Sequence, residues 1–163
     1  MVLAPTLAEI ATLAAGQIDF ERLDVALRSA PALSSRLLRD VTVGCSRLAS
    51  LRQSGRAAAL DRLVEAGAWT DAALGLLKLE LPSWTIRRLV REGDEWFCTL
   101  SRQPNLPIAL DEPAEAAHAE LPLAILRAFV EARRRLSFSA HAAAADPQLR
   151  PALEMPVCCD NFA

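Results

Sequence analysis

Tyrosine is absent from this 163-residue chain, Lys78 is its only lysine, and histidine occurs twice. Two histidines leave general acid–base or triad chemistry little to work with. Glycine-rich phosphate loops, His-Glu-x-x-His, Gly-x-Ser-x-Gly and Cys-x-x-Cys are all missing, so the familiar local signatures of catalysis are not here. No window approaches the roughly 18 to 20 continuous apolar residues of a membrane-spanning helix. The opening "MVLAPTLAEIATLAAG" has no basic segment ahead of its apolar residues. Neither a membrane span nor a secretory leader is expected, and the expected compartment is the cytoplasm. Nor does one sign of charge dominate. Residues 1–66 carry eight basic and seven acidic side chains, residues 67–136 nine and ten, and the net charge is −2. A polycationic footprint for nucleic acid or anionic lipid is therefore not written in the composition.

What is present is 52% hydrophobic and 23% charged residues, the balance of a globular protein with a core of useful size. Helix signals dominate the first half. Thr6-Leu7-Ala8-Glu9 reads as a capping box opening a short helix with Leu7, Ile10 and Leu13 on one side, ended by Gly16. Asp19 caps a second helix, with Ile18 placed to staple onto Leu23. Pro31 suits the first turn of a third, longer helix striped by Leu33, Leu37, Val41, Cys45 and Leu48. The β-branched "VTVG" in its middle is the place where it would break. Residues 56–66 form a fourth helix between Ser54-Gly55 and Gly67, and Thr70 caps a fifth that Pro82 closes.

"WTIRRLVREGDEWFCTLSRQ", residues 84–103, switches to strand character. A two-residue turn at Gly93-Asp94, of type I′ or II′, sets Val90 opposite Phe97 and Arg88 opposite Thr99. Trp84, Ile86, Arg88, Val90, Phe97 and Thr99 then share one face. Arg87, Leu89, Arg91, Trp96, Cys98 and Leu100 share the other. Both faces are half apolar, so the hairpin must be packed by helices, with Trp84 and Trp96 in the core and Arg91 stacked on Trp96. After a proline-rich loop, Pro122 opens a last helix with Leu123, Leu126, Phe129 and Val130 as its buried stripe. Arg133, Arg134 and Arg135 stand at its expected C-terminal end, followed by an Ala/Pro-rich tail over 137–163. The expected fold is mainly α with a small β-hairpin (α+β). A helical N-terminal part, 1–66, packs on an α-β-β-α part, 67–136.

The order of an apolar helix, "LPSWTIRRLVREGDEWFCTLS", a loop and "LPLAILRAFVEAR" resembles the phage ABA sandwich domain over residues 68–136. That α-β-β-α module occurs in prophage and α-proteobacterial proteins of unknown role. The resemblance implies a fold and brings no catalytic residue with it.

Four local patterns invite a site. Arg87, Arg88, Arg91 and Arg102, with Trp84 and Trp96, have the makings of a basic aromatic surface for single-stranded nucleic acid, although Glu92, Asp94 and Glu95 crowd the same turn. Glu115-Ala-Ala-His118 places a carboxylate and an imidazole three residues apart, as on one face of a metal-binding helix, but no second copy exists. Cys158-Cys159, with Cys45, Cys98 and His141, suggests a thiol or zinc site, for which adjacent cysteines are poorly spaced. The free edges of a two-stranded hairpin, blunted by neither proline nor lysine, suggest pairing with a second copy. These weigh toward a non-catalytic interaction or regulatory protein, without cofactor or metal, forming a homodimer. A nucleic-acid-binding regulator is the alternative, and a thiol- or metal-dependent protein using the Cys158-Cys159 tail comes third.

Overall fold

The computed structural model describes residues 18–107 and 110–145, with side chains to residue 139. Six helices and one sheet form among them: α1 (Phe20–Ser29), α2 (Ser35–Thr42), α3 (Ser46–Gln53), α4 (Ala58–Glu65), α5 (Trp69–Glu80), β1 (Thr85–Glu92), β2 (Glu95–Ser101), β3 (Ala114–His118) and α6 (Leu121–Ala145). The mainly helical α+β class stands. The Thr6 capping box and the helix it opens lie outside the described residues.

The Asp19 carboxylate accepts from the Arg22 backbone N–H at 2.9 Å and starts α1 as its sequence implies. The long third helix is instead two short ones. Ser34 caps α2, accepting from the Leu37 N–H at 3.3 Å, while Pro31 stays in the preceding turn. The chain then bends at Gly44, whose φ of 73° lies in the left-handed region. A Cβ there would come within 2.7 Å of the Ile18 Cδ1 atom, so the backbone favours glycine and the Ile18 side chain would have to move to admit any other residue. Each side of the bend is repaired from a distance. Arg133 donates to the carbonyls of Val41 (3.3 Å) and Gly44 (2.8 Å) at the end of α2. Glu80 accepts from the Leu48 N–H at 2.8 Å in the first turn of α3, where Cys45 offers no side-chain cap. The stripe survives the break: Leu33, Val41, Cys45 and Leu48 are all buried. α5 begins at Trp69 after Ala68 without a side-chain cap, so Thr70 sits inside the helix rather than before it.

The hairpin register is as the turn dictates, with Val90 opposite Phe97 and Arg88 opposite Thr99. Gly93 has φ 62° and no non-glycine residue among the described residues has positive φ, which selects the type II′ turn over I′. A bulge between Ile86 and Arg88 shifts the rest of β1 by one residue, so Ile86 faces Leu100. Residues 114–118, expected to lead into a helix, form a third strand antiparallel to β2. The module is therefore α-β-β-β-α, and one hairpin edge that the sequence left open is filled by the same chain.

α6 is the hub. It lies against β2 and β3 and also packs on α1 and α5, while α3 and α4 pack on α5. Leu123, Ala124, Ile125, Leu126, Ala128 and Phe129 are all fully buried, a run with no solvent side, as a central helix requires. It continues well past Leu136 to Ala145, into the expected tail. The arginine trio thus sits within the helix, and Arg133 is buried, its guanidinium 5.8 Å from the ring centroids of both Phe20 and Phe129. One continuous core joins Leu27 on α1 to Ala132 on α6.

Candidate functional site

The four hairpin arginines do not make one surface. Arg87, carried by the bulge, donates to the Asp111 carboxylate and to the Leu106 carbonyl, each at 2.7 Å. Both charged side chains are largely covered, 19% and 4% exposed, so this pair ties the loop after β2 to β1. The Ser101 hydroxyl, ahead of Arg87, holds the Asp111 carboxyl below its ordinary value against the desolvation of burial. Arg88 lies on the outer face of the sheet and pairs with Glu92. Arg91 stands opposite Trp96, but the cation–π contacts among the described residues are those of Arg133. Arg102 leaves the end of β2 exposed and makes no ion pair among the described residues.

The Glu-x-x-His half-site dissolves because its residues lie on a strand. Three residues apart on β3, Glu115 and His118 point to opposite faces. Glu115 faces outward and accepts from the Thr99 hydroxyl at 3.1 Å. His118 is buried, and its Nδ1 accepts from the Glu120 N–H at 2.9 Å beside the start of α6. Among the described residues no group of three His, Cys, Asp or Glu side chains is placed to hold a metal ion. Burial pushes the Cys45 thiol up to about 11 and the Cys98 thiol up to about 12, the pattern of inert core cysteines. Cys158, Cys159 and the His141 side chain lie outside what the structure describes. No helix among the described residues is long and apolar enough to cross a membrane.

The better site is one that the motifs did not mark. A groove of about 290 Å³ lies between the end of β2, the loop before β3 and the second half of α6. Trp84, 5% exposed, lines it. Its Nε1 is the one buried side-chain nitrogen or oxygen without a hydrogen-bond partner among the described residues. Such an unmade bond costs about 1–3 kcal/mol, and proteins seldom leave one without reason. Arg102 and Gln103 form the sheet-end wall, Leu110 and Glu112 the loop wall, and Arg135 and Leu136 the helix wall. Leu110 is 70% exposed, and Phe138, one residue before the lining Ser139 on α6, is 67% exposed. Arg135 and Asp111 are satisfied by Glu131 and Arg87. Arg102 and Glu112 keep their charges without an ion-pair partner among the described residues.

Two larger depressions, each about 530 Å³, hold internal ion pairs, and the second also carries Arg39 and Glu65, which make none among the described residues. One contains Arg28 and Arg127 on Asp24 and Arg134 on Glu131; the other contains Arg52 on Asp61. Of the four hairpin arginines singled out by sequence, only Arg102 belongs to the Trp84 groove. The signal that would have drawn attention to Trp84 is the missing partner of a buried indole, and that exists only once the chain is folded. No protein-family model, curated protein or solved structure matches this chain.

Proposed function

We propose that this is a non-catalytic binding or regulatory protein whose contact site is the groove over Trp84. The observation that carries the reading is a groove in which a cation and a carboxylate without ion-pair partners among the described residues, Arg102 and Glu112, stand beside the exposed side chain of Leu110. Six of the nine lining residues are polar or charged, and Trp84, Leu110 and Leu136 are the apolar ones, so the groove suits a small polar ligand with a limited apolar part. The nucleic-acid alternative is left with Arg91 and Arg102, since Arg87 and Arg88 are engaged within the chain. Self-association through open hairpin edges has lost its reason on the β2 side, where β3 pairs. The remaining edges are blunted by the bulge on β1 and by the shortness of β3, whose Ala117 carbonyl is taken by Arg127. Sedimentation across a micromolar range measures whether a homodimer forms by another surface.

The groove reading is tested by amide chemical-shift mapping with a chemically diverse set of small molecules. Perturbations gathered on Trp84, Arg102, Glu112 and Arg135 support it. Hits gathered elsewhere, or none at millimolar concentration, refute it.

A further inference from the structure

Resting on the groove reading, we infer that the ligand is a free α-amino acid with an apolar side chain, bound as its zwitterion. The two unpaired charges that line the groove have opposite sign. Arg102 is the cation available to a carboxylate, and its planar fork suits that group. Glu112 is the carboxylate available to an ammonium group. A simple anion would satisfy Arg102 and meet repulsion from Glu112, and a simple amine would do the reverse. A zwitterion satisfies both. Leu110 and Leu136 give the same groove two apolar walls against which an aliphatic or aromatic side chain can lie. The volume of about 290 Å³ stands at the lower end of ligand pockets, which suits a single amino acid and excludes a dinucleotide or a peptide of several residues.

Calorimetry and thermal shift with the full chain decide it, using L-leucine, 4-methylpentanoate (leucine without its amino group) and leucinamide (leucine without its carboxylate). Leucine is expected to bind saturably and to raise Tm, with each truncated analogue weaker by roughly tenfold or more, as loss of a charged hydrogen bond implies. Arg102→Ala is expected to remove the preference for leucine over leucinamide. Glu112→Gln is expected to remove the preference for leucine over 4-methylpentanoate. Both charged side chains are exposed, so these variants test binding without threatening the fold. Equal binding of all three compounds, or binding that neither Arg102→Ala nor Glu112→Gln changes, overturns the proposal. So does no binding at about 10 mM, weaker than any specific site would show. If other small molecules map to the groove while leucine does not bind, the ligand class falls and the groove reading stands.

Discussion

Single side chains hold this molecule together at places where the backbone is left unsatisfied. Arg133 is the clearest. It reaches from α6 to two carbonyls at the end of α2 while its guanidinium lies near two phenylalanine rings. Arg133→Ala removes both bonds, leaving the Val41 carbonyl with the weak Cys45 thiol donor and the carbonyl of exposed Gly44 to solvent, and is expected to lower stability by about 1.5–3 kcal/mol, judged from charged hydrogen bonds of that size. Urea unfolding measures it; a loss under about 1 kcal/mol would mean that the bend does not depend on the arginine. Trp84 makes the opposite case. Because its N–H has no partner, Trp84→Phe gives up ring volume but no hydrogen bond, and should cost less than about 1.5 kcal/mol. Trp84→Ala, which empties a core position, should cost about 3–5 kcal/mol. A large loss in the phenylalanine variant would show that the indole N–H is bonded after all.

Among elements, the α2–α3 bend and the loop before β3 carry the tertiary consequences. Gly44→Ala combines positive φ with a contact on Ile18, so it is expected to destabilise by about 1–2 kcal/mol from the backbone alone, with the steric contact added. Adding Ile18→Ala should recover the steric part only, and a double-mutant cycle in thermal unfolding separates the two. The loop is anchored by the Arg87–Asp111 pair. The Asp111 carboxyl is held below its ordinary 3.8 in the folded chain, so its contribution is present above that value and is lost as pH falls beneath it. Asp111→Asn at neutral pH should therefore reduce amide protection across residues 102–107 while leaving α6 unchanged. Equal protection in variant and wild type would place the anchor elsewhere.

At the scale of the whole molecule, one core spans both expected halves, and two thiols lie inside it. Cys45 and Cys98 are raised from 9.0 to about 11 and about 12 by burial. A group whose folded pKa is raised stabilises the fold fully below its unfolded pKa and loses that contribution as pH climbs toward the folded one. Stability should accordingly fall between about pH 9 and pH 12, because the unfolded chain ionises these thiols first. Chemical denaturation at stepped pH tests this. Cys98→Ala should flatten the decline, and an unchanged slope would assign it to other groups. Peptide mapping after alkylation at pH 8 should find both cysteines unmodified in the folded protein and modified after unfolding.

Local chemistry in the chain determined the helical class, the Asp19 cap, the punctuation at Gly55 and Gly67, the hairpin register and the buried stripe of α6. Each rests on residues a few positions apart, where periodicity, capping and turn geometry act without help from the rest of the chain. Tertiary structure alone decided the third strand. "AEAAH" has little strand propensity of its own and pairs because β2 offers an edge beside it, with Pro113 before and the start of α6 after. It likewise decided the bend at Gly44, which is tolerable only because Arg133 and Glu80, distant in sequence, satisfy its backbone groups. The groove over Trp84 belongs to this second kind. Its lining comes from four segments scattered between residues 84 and 139, and an unpaired N–H is a relation between an atom and everything packed around it. Periodicity shows which side chains go inside; only the packing shows which of them arrive there without a partner.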